Sequence, residues 1–273
     1  MRTKVVFDVG LHDGADTDYY LKKGYSVVAF DADADHVARC RARFAKEIDS
    51  GRLRVVEGAI ASPAAGSCVE FYKNLTKSDW GTIEKEWAER NRKLDTEIVT
   101  ISVPRVDMDE SFDTFGVPQY LKIDIEGADR LILSSLKKQR DRPTYISIES
   151  EKSEWSKLVE EMTILRNLGY RKFRPIEQST IPGSRITTRT LSGQELRYTF
   201  ARHSSGAFGD DIRRPWLSFD DCLNEYRRIF RWYRWVGDDA FFRRSSGAGK
   251  LVNGIGHLIG VPLPGWYDTH AML

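Results

Sequence analysis

Lys4-Val-Val-Phe-Asp8-Val-Gly10-Leu-His-Asp-Gly14, then Ala15–Lys23, Gly24 and Ser26-Val-Val-Ala-Phe30-Asp31, is the stretch whose reading decides the fold. It opens with an apolar run that stops at a glycine-punctuated turn. A helix-length segment follows and is closed by Gly24. A second apolar run then ends in a carboxylate. Strand, glycine turn, helix and strand, with an acid about 20 residues past the turn, is the layout of a nucleoside-binding half-fold. Asp31 can accept both hydroxyls of a ribose. The helix N-terminus beside the turn offers free N–H groups and a partial positive charge to an anion.

The turn reads Gly10-x-x-x-Gly14, without the middle glycine that lets a dinucleotide pyrophosphate approach the backbone. S-adenosylmethionine has no pyrophosphate. Its amino-acid end brings an ammonium, a carboxylate and a sulfonium. Asp8 is placed to meet the ammonium, directly or through water, and the N–H groups after Gly10 to take the carboxylate. The bland alternative is a packed β-α-β unit with a solvated Asp31. A second signal is Gln119-Tyr-Leu-Lys-Ile-Asp124-Ile-Glu126-Gly127, an apolar-rich run that ends in two carboxylates and leads into a helical stretch over 128–139. Ligands of open parallel sheets sit beyond the carboxyl ends of the strands. Asp124 and Glu126 are therefore expected on the same rim as Asp8 and Asp31.

Three of these segments, Asp8-Val-Gly10-x-x-x-Gly14, Val28-Ala-Phe-Asp31 and Leu121-Lys-Ile-Asp-Ile-Glu-Gly127, together resemble the FkbM family of S-adenosylmethionine-dependent methyltransferases. Val103-Pro-Arg-Val-Asp107-Met-Asp109 resembles the segment that precedes the family's Lys-Ile-Asp-x-Glu-Gly strand. The resemblance covers residues 4–150 and thins beyond, where Pro143-Thr-Tyr-Ile-Ser-Ile-Glu149 and Ser205-Gly-Ala-Phe-Gly209 still fit. It implies an α/β, Rossmann-like fold: a seven-stranded, mostly parallel sheet with one antiparallel strand and helices on both faces. It also implies methyl transfer, usually to oxygen. Carried over by residue, Asp8, Gly10 and Gly14 line the methionine end of the cofactor. Asp31, with Ala32 beside it, holds the ribose. Ala59 and Ile60 flank the adenine, and Asp124 sits near the sulfonium. Two positions depart from the family: His12 stands where Asn is common, and Asp31 where Glu is frequent.

The rest of the 273 residues reads as one α/β domain over 1–214 and a C-terminal helical extension and tail over 215–273. Strand and helix signals alternate, as such a sheet requires. Helices are expected over 35–49, 154–168 and from Ser218 to about residue 236, and strands over Leu53–Glu57, 67–73 and 144–149. The polar insertion at about 67–100, with Trp80 and Trp87, reads as a substrate-side flap or as a solvated helix over 82–93. Residues 171–193 read as a long loop, and 194–202 as a final strand. The helix after Ser218 interleaves arginines with Phe230, Trp232 and Trp235, which we read as a packing or homodimer surface rather than a nucleic-acid site. A net charge of +2 is mild. Cys40, Cys68 and Cys222 are sparse, odd in number and without metal-ligand spacing, which suits a reducing, cytoplasmic setting. Met1-Arg-Thr-Lys runs straight into a strand without a signal peptide, and no apolar run approaches a membrane span.

Methyl transfer to an alcohol needs an aligned acceptor and benefits from a general base. Candidates by type and place are Asp124, Glu126, His12, Glu149 and His270, the last in a tail, Trp266-Tyr-Asp-Thr-His270, that either returns to the site or ends loosely. For each acid the plain alternative is solvation or a salt bridge. Nothing fixes a metal ligand set, so no metal is expected. The leading expectation is O-methylation of a hydroxyl on a sugar, glycan or secondary metabolite. The alternatives are an NAD-dependent oxidoreductase and a non-catalytic scaffold that keeps the nucleoside-binding fold.

Overall fold

The computed structural model describes residues 4–125, 127–151, 154–236 and 266–273. The first unit forms where its apolar runs lie: β1 is Val5–Val9, α1 Ala15–Lys23 and β2 Ser26–Asp31, with β1 and β2 parallel. Val6 to Val9 are all buried, as in a strand covered on both faces. Helix α1 carries Asp16 and Asp18 in its first turn and Lys22 and Lys23 in its last, the order the macrodipole favours.

The single helix expected over 35–49 is two, α2 (Ala34–Arg43) and α3 (Ala45–Asp49), broken at Phe44. Phe44 leaves the helical path and sets its ring against the start of α1, where a Cβ on Gly14 would lie 2.5 Å from it. Strand β3 (Leu53–Glu57) then pairs with β2. The insertion forms its own small sheet from β4 (Ala59–Ile60), β5 (Cys68–Asn74) and β6 (Ile98–Val106), in the order β4-β6-β5, with α4 (Lys85–Lys93) between β5 and β6. Next come α5 (Met108–Phe115), β7 (Tyr120–Ile123), α6 (Asp129–Lys138), β8 (Tyr145–Glu149) and α7 (Trp155–Asn167).

Past α7 the structure corrects the sequence reading. The stretch 171–193 is not a loop: it holds β9 (Lys172–Glu177) and β10 (Arg185–Arg189). Pro175 suggested a loop, but β9 is an edge strand, where a missing N–H is tolerated. The expected final strand is β11 (Glu195–Thr199), and it pairs with β10 in a separate hairpin. After α8 (Phe219–Val236), the true last strand is β12 (Tyr267–Met272), which lies antiparallel between β8 and β9. The tail is thus part of the central sheet, and residue 214 does not divide sheet from extension. Three consecutive polar residues, Asp268, Thr269 and His270, hid it, because all three are buried.

The completed sheet has seven strands in the order β3-β2-β1-β7-β8-β12-β9, and β12 alone runs against the rest. One face packs Phe7, Phe30, Leu121 and Ile148 against α5 to α8. The other packs Val6, Ala29, Tyr120 and Tyr145 against α1, α2 and the 181–208 segment. Cys222, Leu223 and Tyr226 of α8 are buried against this chain. Among the described residues, no helix is long and apolar enough to cross a membrane.

A buried hydroxyl triad ties α8 to the last strand. Tyr226 Oη lies 2.6 Å from Ser150 Oγ and 2.6 Å from Thr269 Oγ1, which are 2.8 Å from each other. Thr269→Val should therefore lower the unfolding free energy by about 1–3 kcal/mol, measured by urea denaturation. No loss would mean that β12 does not contribute to the stable fold.

Candidate active site

The carboxyl ends of β1, β2, β7 and β8 form one rim of the sheet. Because β12 is antiparallel, its beginning falls on the same rim, with Asp268 in register with Glu149. The glycine turn is fastened to β2: the N–H groups of Gly10 and Leu11 both donate to the Phe30 carbonyl at 3.0 Å. Gly10 has φ +92°, and a Cβ there would sit 2.0 Å from the Asp124 carbonyl oxygen. Only glycine allows this approach of the turn to β7. His12 also has positive φ, 48°. Asn, Asp and His tolerate that conformation better than most residues, so His12 suits the backbone of a position the family commonly fills with Asn.

Asp31 is oriented by the same turn. Its Oδ2 accepts the His12 N–H at 2.7 Å, its Oδ1 accepts the Asp33 N–H at 2.8 Å, and His36 Nδ1 is 3.4 Å from Oδ1. The His12 ring lies 4.7 Å, centre to centre, from both the His36 and the His203 rings. Burial, followed by the nearness of His36, lowers the His12 pKa below the usual histidine value. Its Nε2 is 2.9 Å from Ser78 Oγ of the insertion. Ala32 packs with Ala59 beside Phe71 and Val103, while Ile60 is buried in the main core.

Beneath the rim, Lys122 is buried with its Nζ 3.3 Å from Asp8 Oδ1, 3.1 Å from Asp16 Oδ2, 3.3 Å from Asp124 Oδ2 and 3.3 Å from the Gly10 carbonyl. Burial opposes its charge, but the three carboxylates outweigh it and hold its pKa well above the usual lysine value. Asp16 also accepts Ser204 Oγ at 2.6 Å and the Ser205 N–H at 2.9 Å, which fixes the 204–209 segment over α1. Asp268 is buried too. Burial first, then Asp124 and Glu149, raise its pKa well above the usual range.

Three of the expected site residues lie away from the exposed rim. Asp8 is fully buried, accepts Thr17 Oγ1 at 2.6 Å and faces Lys122. Burial raises its pKa to about 6. The open side of Gly14 faces Phe44 and Cys40, a packing role. His270 is no tail residue reaching the site: it lies in β12 opposite Ser147, one step below the rim and 2 % exposed. Glu126 lies outside the described residues. Asp124 stands half-exposed at the rim, with Glu149 on the neighbouring strand. Sequence reasoning passed over Asp16, Lys122 and Asp268. One signal was available: Lys122 sits between Leu121 and Ile123 in an apolar strand. Asp268, in turn, shares a strand face with His270.

With the geometry in place, the strand order, the glycine turn and the acid at the end of β2 define an α/β methyltransferase sheet. A family model, the methyltransferase FkbM domain, matches residues 8–172, and the chain belongs to that family. Among solved structures, a SAM-dependent methyltransferase from Archaeoglobus fulgidus is similar at 12 % identity and TM-score 0.39, over 99 % of this chain and 86 % of that one. A SAM-dependent methyltransferase from Geobacter sulfurreducens in complex with S-adenosyl-L-homocysteine is similar at 11 % identity and TM-score 0.33, over 100 % and 85 %. The glycopeptide N-methyltransferase MtfA, complexed with S-adenosyl-L-methionine, is similar at 14 % identity and TM-score 0.33, over 98 % and 81 %. No curated protein sequence matches the chain significantly.

The place of His270 has a measurable consequence. Burial lowers its pKa from 6.5 to about 4. Below pH 6.5 the unfolded chain takes up a proton that the folded chain refuses, so stability is complete above that pH and falls towards pH 4. The loss attributable to this group is about 3 kcal/mol over that window. In urea titrations, the stability gap between wild type and His270→Gln should shrink by about that amount from pH 7 to pH 4. A constant gap would place the imidazole in water.

Proposed function

We propose that this protein transfers a methyl group from S-adenosylmethionine to a hydroxyl of a sugar, glycan or secondary metabolite. The observation that carries the reading is the charge of the rim. Asp124, Glu149 and Asp268 stand at the rim, above the buried layer in which Lys122 meets Asp8, Asp16 and Asp124. Such a rim suits a cofactor with an ammonium and a sulfonium and disfavours the pyrophosphate of a dinucleotide. Asp31, held by two N–H groups, fits a ribose diol. The N–H groups of Gly10, Leu11, His12 and Gly14 are taken up within the protein, so they shape the turn and are not free for a carboxylate. Ala32 and Ala59 are placed for the adenine side.

When bound, the cofactor supplies an electrophilic methyl whose C–S bond breaks as the C–O bond forms. The chain's part is to align the hydroxyl, exclude water and take its proton. Asp124 and Glu149 are the rim carboxylates suited to that proton. His12 is spent on Ser78, His270 lies below the rim, and Asp268 is held towards its protonated form. The insertion, which touches the glycine turn through Ser78, acts as a flap on the acceptor side. Three free cysteines, Cys40, Cys68 and Cys222, fit work in the cytoplasm.

Calorimetric titration tests the cofactor half. S-adenosylhomocysteine should bind and NAD should not. Asp31→Ala should weaken the S-adenosylhomocysteine complex at least about tenfold, the loss expected for charge-assisted hydrogen bonds, with the thermal unfolding transition retained. Unchanged affinity in that folded variant removes Asp31 from the ribose role, and binding of NAD alone favours the oxidoreductase. Product analysis after incubation with hydroxylated acceptors tests the other half, where a methylated nitrogen in place of oxygen overturns it.

A further inference from the structure

The segment between β5 and β6 meets the site at two places. Ser78 reaches His12 on the glycine turn. Glu84 and Trp87 lie over Gly127, where a Cβ would be 2.7 Å from Glu84 Cγ and 3.5 Å from Trp87 Cδ1. Trp80 and Trp87 are half-buried, and two exposed cations stack on them. Lys77 Nζ is 3.6 Å from the centre of the Trp80 ring. The Arg90 guanidinium is 4.5 Å from that of Trp87 and 5.8 Å from that of Trp80. A cation on an indole face keeps its charge while losing part of its hydration.

Two nearby cations are neutralised: Lys73 pairs with Asp33 and Asp35, and Arg105 with Asp107. Among the described residues, neither Lys77 nor Arg90 forms an ion pair. This holds although Glu86 precedes Arg90 by four residues on α4, a spacing at which helix pairs form. The stacking on tryptophan has prevailed over the available pair, and the charge is left to solvent.

We infer that Lys77, Trp80, Trp87 and Arg90 form a subsite for an anionic sugar-like acceptor, its ring against Trp87 and its carboxylate or phosphate on Arg90 and Lys77. The inference rests on the hydroxyl-methylation reading. Trp87 covers Gly127, three residues beyond Asp124, so an acceptor lying on it is close to the rim. The rim is acidic, and the two side chains stacked on the indoles, Lys77 and Arg90, are cations. That polarity turns an anionic acceptor outward by its charge and inward by its hydroxyl, as complementary fields orient a ligand. It also explains how an anion is accepted beside so many carboxylates.

The test uses the full chain saturated with S-adenosylhomocysteine, followed by tryptophan fluorescence at constant ionic strength. The probes are glucuronate, glucose 6-phosphate and glucose. At least one anion should give a saturable change, with glucose about tenfold weaker or more, and the stronger of the two anions identifies the group. Arg90→Ala should weaken the anion about tenfold or more, the scale of a hydrogen bond to a charged group, and Arg90→Lys should restore part of it. Calorimetric affinity for S-adenosylhomocysteine should be unchanged in both variants. Equal binding of glucose, indifference to Arg90→Ala, or no saturable response to either anion overturns the subsite. Failure of the wild type to bind S-adenosylhomocysteine overturns the underlying reading, and the subsite with it.

Discussion

Lys122 sits in β7, the central strand of the seven, with its ammonium enclosed by Asp8, Asp16, Asp124 and the Gly10 carbonyl. Those partners come from β1, the glycine turn, α1 and β7. A buried cation without them would be intolerable, and the same carboxylates without the cation would repel one another. The contact therefore holds four pieces of chain in one arrangement. It fixes how closely the turn approaches β7, which Gly10 alone permits. It sets the angle of α1, whose Asp16 in turn receives Ser204 and Ser205. The rim above inherits its geometry from this layer.

That layer also sets the chemistry at the surface. One lysine cannot neutralise all the carboxyl groups in and above this layer, so the rim stays acidic, and burial with the neighbouring Asp124 and Glu149 raises the Asp268 pKa. Histidines occupy quite different roles in the same region. His12 belongs to the turn because its backbone conformation suits it, and its ring bridges to the insertion. His270 is a neutral member of the floor. Neither role follows from histidine's reputation as a base.

The parts of this molecule legible in the sequence were those where local pattern and tertiary role agree. The β1-α1-β2 unit and the run into Asp124 alternate apolar strands with turn residues, and their acids stand at strand ends, where ligands gather. The parts that were not legible share one cause. Tyr267–Met272 and Lys172–Glu177 are strands rich in polar residues, buried or at the edge, and a sequence window assigns polarity to solvent. The same bias hid Lys122, Asp16 and Asp268, whose partners lie far away along the chain. Phe44 broke a helix for a long-range reason as well, its contact with Gly14. Only the assembled sheet shows that these charges face each other.

The insertion of β12 between β8 and β9 has a further consequence for how the chain reaches this state. Strand β9 has no hydrogen-bonded place beside β8 until β12 has arrived, and everything between Glu177 and Tyr267 separates the two in sequence. During synthesis, β8 and β9 are both strands with an open edge, the kind of surface that pairs with the wrong partner. The sheet closes only after the final strand slides into a gap that its neighbours must hold open. Contacts of such long range slow folding. A truncation after α8 would leave β9 detached from the five strands β3-β2-β1-β7-β8.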